Sequence, residues 1–579
     1  MSKLKYKLLT TLSFGDELNS ILKYYGVNNC NLFLKPNEVS IESYDLFENI
    51  QLACEKYLYH VKNNHVISLV TDSDLDGSSS ASVMYQYTKR INPNIKINVY
   101  HHKGKVHGLS DLIDVIEQDD SDLVIIPDAG TDNVKECSRL YAVGKEVIVL
   151  DHHNVDPTLN PAIIVNNQLS PKVTDKAMTG VGVVYKFCKK LDNMLNLSYA
   201  DDYLDLVCVG MIADRADMFN PQTRYYVFKG LELIRKKENH NKFISTLVEA
   251  QSFSMSGRVT IDGIGFYVAP LINSLIRLGT LEDKDIMFRA MCNSDEMLVR
   301  KIRGKGEVAI TIQEYSLKDC QSYNRKQKKL TEEQTNALHE DIANYNLDQY
   351  PILVCNAKDN VDGSFTGLIA NKLTDIYKKP VLLLRKKGND CKGSARGYNK
   401  CEITDFNKWC KSTNLFTQVS GHANAFGATI PFENTNKLFE ILSTLKVEPF
   451  VYHVFGEYDV SKLSDQIIKN MGSYDYVWGC GVDEPLFVLK NINCNKFNIT
   501  LSGSKQNKIE FTYRNIKFVK QTRSTSLANL YKEIIETGDN VNFTVIGKFR
   551  IDYKNDKSPM VIIEDMEFEK SNRVQSLFG

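Results

Sequence analysis

This chain has no net charge: 71 Lys and Arg balance 71 Asp and Glu over 579 residues. That excludes a histone-like binder held to nucleic acid by bulk charge, though not a local basic groove. Arginine is scarce, 17 against 54 lysines, so an arginine inside a motif stands out. The 13 cysteines form no C-x-x-C pair and no regular spacing. A zinc ribbon or a disulfide framework is therefore not expected, and a reducing cytosol fits. No stretch approaches the ~20 apolar residues of a membrane span. The opening segment MSKLKYKLLTTLSFGDEL lacks the continuous apolar core of a secretory signal. The expectation is a cytoplasmic protein with no membrane partner. No internal repeat or low-complexity tract is visible.

What is present is ordinary globular composition, 43% hydrophobic and 25% charged, which rules out wholesale disorder. At roughly 100–200 residues per domain the length suggests three to five domains. Residues 65–230 alternate short β-branched runs with helical patterns. The runs VISLV, IKINVY, DLVIIP and EVIVL fit strands of a parallel sheet buried on both faces. Residues 231–345 read as a helical connecting region. Residues 346–447 return to an α/β rhythm and carry the glycine-rich segments GSARG and SGHANAFG. Residues 448–579 read as mostly β, with short alternating runs that suggest a small barrel or sandwich. The first 64 residues match no pattern beyond helical character around 42–62.

Four acidic or histidine motifs stand at the ends of apolar runs: Asp72, Asp74 and Asp76 in TDSDLDG, Asp128 in PDAG, Asp151, His152 and His153 in LDHHN, and Asp214 in IADRAD. The last follows LDLVCVGMIA, taken as strand-like with the others. Ligands of open parallel sheets bind outside the carboxyl ends of the strands, so motifs placed there would converge. Carboxylates with imidazole suit Mn²⁺ or Mg²⁺ and need no thiolate. So many acids together would repel one another without cations, and a pair of ions would support in-line phosphoryl displacement. DSDLDG also begins like an EF-hand loop, but that loop needs a Glu at its twelfth position, here Val83. Each motif alone could be a polar turn; the four in this order are hard to credit to chance.

The set DSDLDG, PDAG, LDHHN and IADRAD resembles motifs I to IV of the DHH phosphoesterases. The segments MTGVGVVYKFC, IGFYVAPLINSLIRLG, YNRKQKKLTEE, GSARG, SGHANAFG and WGCGVDEPLFVLKNI narrow the likeness to RecJ-type exonucleases over roughly residues 65–570. The resemblance implies an α/β fold: a DHH parallel-sheet domain and a smaller DHH-associated domain joined by long helices, plus a C-terminal OB-like domain. It implies two Mn²⁺ or Mg²⁺ ions and 5′-to-3′ hydrolysis of single-stranded DNA, with a single-strand-binding protein or a helicase as protein partner.

The resemblance also implies roles. Asp76, Asp128, His152 and Asp214 match the ligands of one metal. Asp74 and a bridging Asp128 match the second, with Asp72 contributing. Asp151 would accept the other ring N–H of His152, and His153 would donate to the scissile phosphate. Ser394 and Arg396 match a pocket for a 5′ phosphate, and Lys103 stands where the family has an Arg of that pocket. Gly421 and His422 would approach the strand near the cleavage point, as would Asn273 and Arg277. In PLINSLIR, Leu271 replaces a family Arg, and Ser420 replaces a family Gly. Basic clusters at 235–242, 299–305 and 325–329 are read as helix faces that could border a strand-binding cleft. Tyr474, Tyr476 and Trp478 are candidates for base stacking, with core packing as the plainer role. The alternatives are a DHH phosphodiesterase of short oligonucleotides or cyclic dinucleotides, which would lack the long linker and the OB-like tail, and a non-catalytic scaffold, which would lose metal ligands.

Overall fold

The computed structural model describes residues 4–570 except 13–14, 155–158, 239, 358–362, 399–400, 448–449, 504–505 and 523–526. Two compact units divide it. One comprises Leu8–Gln321 with the described residues from Val454 onward; the other comprises Ser322–His453 with Lys5–Lys7.

The first unit is built on five parallel strands: β1 (Ile67–Thr71), β2 (Ile97–His101), β3 (Leu123–Pro127), β4 (Glu146–Asp151) and β5 (Ile163–Asn166), in the order β2-β1-β3-β4-β5. Every residue of β1 and β3 is buried, as apolar runs covered on both faces require. The chain steps from β1 outward to β2 and then returns to the other side of β1. The carboxyl ends of β1 and β3 therefore flank a topological switch point, the usual crevice of an open α/β sheet.

Three helices cover the crevice. Helix α2 (Leu75–Ile91) starts four residues after β1, behind α1 (Ile50–Lys62) in the chain. Helix α3 (Gly180–Leu195) follows β5. Helix α4 (Leu204–Ala213) is the run LDLVCVGMIA, which the sequence reading had grouped with strands. All its residues but the last are buried. A helix apolar on every side gives the same unbroken run as a strand buried on both faces, and periodicity cannot separate them.

Two carbonyls of the N-terminal segment, those of Phe33 and Glu42, accept from buried cationic side chains of this unit. Arg224, wholly buried, sends Nε to the Phe33 carbonyl at 2.6 Å and Nη1 to those of Val477 at 3.0 Å and Met218 at 3.3 Å. Its guanidinium also stacks on Phe33 and Phe228. Burial lowers its pKa to about 9. One side chain thus ties the N-terminal segment and a connection within the C-terminal sheet region to the core.

Helix α5 (Ala269–Leu278) continues a π-helical turn, Ile264–Val268. By length and composition the segment Ile261–Leu278 could cross a membrane, with a mean hydropathy of 1.2. Val268, Ile272 and Leu275 are fully buried, so its apolar side is spent on the core. Residues 297–311, read as part of a helical region, form instead a two-stranded hairpin, β6 (Met297–Ile302) and β7 (Gly306–Thr311). The basic cluster at 299–305 sits on this hairpin rather than on a helix face. The long polar stretch is helix α6 (Ile312–Asn344), as its pattern indicated.

The C-terminal sheet has seven strands. They are β13 (Gly456–Asp459), β14 (Phe487–Asn495), β15 (Thr500–Ser502), β16 (Lys508–Tyr513), β17 (Ile516–Gln521), β18 (Asn540–Asp552) and β19 (Ser558–Lys570), ordered β13-β14-β18-β19-β17-β16-β15. It is mixed, with two parallel pairings, and fits an OB-like domain. Stacked rings of Phe511, Phe518 and Phe543 fill its core. Trp478 is also core, 3% exposed, and Tyr476 packs against Phe228, so neither reads as an open stacking surface.

The second unit carries β8 (Leu353–Asn356), β9 (Val381–Lys387), β10 (Asp390–Arg396), β11 (Gln418–His422) and β12 (Ala425–Pro431), ordered β11-β12-β10-β9-β8. Helix α7 (Thr366–Tyr377) packs on β9 and β10.

Candidate active site

The three aspartates stand where β1 passes into α2: Asp72 directly follows the strand, Asp74 caps the helix, accepting from the Gly77 amide at 3.1 Å, and Asp76 lies in its first turn. Asp72 points back across the crevice, where it accepts from His107 Nδ1 at 2.6 Å and the Gly108 amide at 3.2 Å. Asp76 is 1% exposed and takes the place of a cap on α3. It accepts from the Gly180 amide at 2.7 Å, the Thr179 hydroxyl at 3.0 Å and the Val181 amide at 3.2 Å. The positive ends of two helices thus meet the carboxylates and offset part of their repulsion.

Asp128 follows β3 with φ of 69°, the left-handed region uncommon for a residue with a side chain. Its amide continues the ladder to the Leu150 carbonyl at 2.8 Å, while the left-handed turn directs its carboxylate into the crevice. Gly180 is there because nothing larger fits: a Cβ would lie 2.1 Å from Asp128 Oδ1. Gly210 on α4 similarly makes room for Asp76. These two glycines let a helix backbone lie directly against each carboxylate.

The crevice gathers three groups whose potential ligand atoms all lie within 4.8 Å of one another: Asp76, His152 and Asp214; Asp72, Asp74 and Asp128; and Asp128, His152 and His153. Asp214 caps the end of α4. His152 Nε2 stands 3.2 Å from Asp128 Oδ1 and 3.7 Å from Asp214 Oδ2. Asp128 Oδ1 is nevertheless buried and accepts no hydrogen bond. Burial and the neighbouring Asp74 raise the pKa of Asp76 to about 7. Burial and the surrounding carboxylates push Asp128 and Asp214 well above the ordinary carboxylate range. An unpartnered buried oxygen among carboxylates that resist ionising is what a cation-binding site presents when its charge is uncompensated. The donors are oxygen and imidazole, which fits Mn²⁺ or Mg²⁺.

Asp151 differs from its expected partnership. Its Oδ1 accepts from the amides of His152 at 2.7 Å and His153 at 3.1 Å and from His153 Nδ1 at 2.8 Å. Its Oδ2 accepts from the Thr131 hydroxyl at 2.7 Å. It therefore orients the ring of His153, not that of His152. The tight turn of the DHH segment folds the second histidine, rather than the first, over the carboxylate. Burial opposes the His153 imidazolium, but the Asp151 hydrogen bond and charge prevail and raise its pKa to about 9. The same contacts hold Asp151 well below the usual carboxylate range despite its burial. Asn166 braces the arrangement, donating to Thr131 Oγ1 and to the His153 carbonyl, both at 3.1 Å.

On α5, Arg277 lies within electrostatic reach of Asp74, and burial lowers its pKa. Asn273 Oδ1 is buried without a partner. Leu271, where the sequence departs from the family pattern, is 6% exposed and packs inward. Lys103 stands exposed in the loop after β2.

Ser394 and Arg396 belong to the second unit. Ser394 Oγ is 2.8 Å from the Thr366 hydroxyl at the start of α7. The Arg396 guanidinium lies over Gly367, where a Cβ would come within 2.5 Å of it. Hydroxyls, a guanidinium and a helix N-terminus thus share one spot. Gly421 has φ of 131° in β11, and a Cβ there would meet the Ala425 carbonyl at 2.8 Å. His422 ends the same strand; its side chain lies outside the described residues.

The sequence reading missed His107, Thr131, Thr179 and Asn166. Only Thr131, next to PDAG, and Asn166, at the end of an apolar run, had a local signal. His107 and Thr179 come from loops distant in sequence from the carboxylates they bind.

The family model "DHH family, N-terminal domain" matches residues 66–211. The chain is 34% identical over 99% of its length, and over all of the relative's, to the "Putative SPbeta prophage-derived single-strand DNA-specific exonuclease YorK" of Bacillus subtilis. It is 24% identical to the single-stranded-DNA-specific exonuclease RecJ of the same organism, over 93% of this chain and 66% of that one. Among solved structures, RecJ of Thermus thermophilus in complex with Mn²⁺ superposes with a TM-score of 0.73 at 18% identity, covering 98% of this chain and 80% of that one. That likeness concerns the fold.

Proposed function

The chain belongs to the RecJ-like branch of the DHH family, and from that premise we propose a divalent-metal-dependent exonuclease that hydrolyses single-stranded DNA from its 5′ end. The observation that supports it most is the meeting of Asp76–His152–Asp214 and Asp72–Asp74–Asp128 around one unpartnered buried oxygen. Two Mn²⁺ or Mg²⁺ ions bound there supply Lewis acidity and lower the pKa of water, so no Ser or Cys nucleophile is needed.

The chain's own residues do the rest. Asp128, in the group with Asp72 and Asp74 and next to His152, would be held in common by the two ions. Its left-handed backbone and the bare Gly180 fix its carboxylate. His153, held protonated by Asp151, donates from Nε2 to a non-bridging oxygen of the scissile phosphate and steadies charge that develops there. Thr131 and Asn166 act through Asp151 as positioning residues. Arg277 and Asn273 face the strand beside the cleaved bond. In the second unit, Ser394 and Arg396 form a pocket suited to a 5′-terminal phosphate.

Incubation with Mn²⁺ and single-stranded DNA labelled at the 5′ end, with and without a 5′ phosphate, tests this. Mononucleotides carrying the label are expected first, faster with the phosphate. Release from the 3′ end alone, or equal rates on duplex, would overturn the reading. A preference for dinucleotides over long strands would favour the short-oligonucleotide alternative.

A further inference from the structure

The helix that carries Asn273 and Arg277 has one side without a core role. Val268, Ala269, Leu271, Ile272, Leu275 and Ile276 are all buried. Phe266, Pro270, Asn273 and Arg277, spaced four, three and four apart, form the remaining stripe; Phe266 is exposed and the other three are half-buried. At one end Arg277 lies within electrostatic reach of Asp74. At the other, Phe266 is 60% exposed, with Tyr267 beside it 42% exposed.

Phe266 sits in the π-helical turn, a rare local widening that is frequent at functional sites. The turn passes close to α4: a Cβ on Gly265 would lie 3.5 Å from Ile212, two residues before Asp214. A large aromatic ring is therefore held open on a helical element that runs beside the carboxylate cluster. Isolated exposed aromatics are common on protein surfaces, but this one ends a stripe whose other members flank the proposed cleavage point.

We propose that Phe266 is a stacking platform for a nucleobase of the bound single strand, on the same helix face as Asn273 and Arg277. This rests on the proposed function and adds to it a residue that measures strand length. Eleven residues at about 1.5 Å each separate Phe266 from Arg277, roughly 16 Å. At about 3.4 Å per stacked nucleotide that is at most about five nucleotides. A dinucleotide cannot reach from one end to the other. Aromatic faces stack every base, so the contact selects a strand without selecting a sequence. Because the ring is mostly exposed, its removal leaves the core intact.

The test compares hydrolysis of a strand of about twelve nucleotides with that of a dinucleotide. Phe266→Ala is expected to lower the ratio of the two kcat/KM values roughly tenfold, and Phe266→Leu to do the same. Phe266→Trp is expected to restore it. A 2-aminopurine placed within five nucleotides of the cleaved end is expected to be quenched by wild type and not by Phe266→Ala. An unchanged ratio in Phe266→Ala, or a Leu variant as good as Trp, would overturn the proposal; a partner protein that covers the ring would give the first of these. Failure of the wild type to cleave either substrate would instead remove the functional reading itself.

Discussion

Replacing Asp128 by Asn separates the stability of the crevice from its chemistry. The substitution is close to isosteric, and Asn tolerates the left-handed backbone at least as well as Asp. Asp128 Oδ1 accepts no hydrogen bond, so none is lost there, and the new amide can donate to Asp76. What disappears is one charge among carboxylates gathered within 4.8 Å. An ionised pair at that distance repels by roughly 3.5 kcal/mol at an effective dielectric of about 20. Wild type escapes part of this by protonation, as the raised pKa of Asp76, about 7, records. The sign follows. A carboxyl whose folded pKa is raised stabilises the fold while it is protonated, and that stability is lost as pH climbs toward the folded value. Metal-free wild type is therefore expected to weaken between about pH 4 and pH 7. Asp128→Asn should exceed it in stability by about 2 kcal/mol at pH 8, a Tm higher by a few degrees, and by less at pH 5. Mn²⁺ should raise the Tm of wild type and scarcely that of the variant, which should also lose activity by more than about 100-fold. Thermal melts at two pH values, with EDTA and with Mn²⁺, measure all of this. A metal-free variant less stable than wild type at pH 8, or one that Mn²⁺ stabilises equally, would refute the electrostatic reasoning.

Three other substitutions probe neighbouring parts. Asp151→Asn removes the carboxylate that lifts the His153 pKa to about 9; the His153 titration followed by NMR should drop toward 6.5, and the alkaline limb of activity should move down with it. Because a raised His pKa contributes stability below about 6.5 that fades as pH rises through 9, the variant should also lose more stability at pH 6 than at pH 10. Gly180→Ala places a methyl 2.1 Å from Asp128 Oδ1, so the carboxylate must move by about 1.3 Å to reach ordinary contact near 3.4 Å, and Mn²⁺ affinity measured by calorimetry should fall at least tenfold. Arg224→Met leaves the carbonyls of Phe33, Met218 and Val477 without their donor; at about 1–3 kcal/mol for each buried unsatisfied group, denaturant unfolding should register a loss of several kcal/mol.

The strands were legible because β1, β3 and β4 are short, β-branched and buried on both faces, and because each is followed at once by its acidic motif. The cluster was legible for the same reason: strand ends in an open parallel sheet converge, so position along the chain translated into position in space. Helix α4 was not, since burial on every side erases the helical period that an amphipathic stripe would have displayed. The hairpin β6–β7 hid behind its lysines and arginines, although Gly304 and Gly306 mark its turn. The pairing of Asp151 with His153 depended on how a three-residue turn folds, which no spacing encodes. The first 64 residues stayed opaque because side chains of distant residues, Arg224 and Lys186, hold them by backbone carbonyls, and such contacts ask nothing of the sequence that receives them.

Anomalous scattering from crystals grown with Mn²⁺ tests the central claim most directly. Two peaks about 3.5–4 Å apart are expected, one against Asp76, His152 and Asp214, the other against Asp72 and Asp74, with Asp128 touching both. A single peak, or peaks away from these carboxylates, would contradict it.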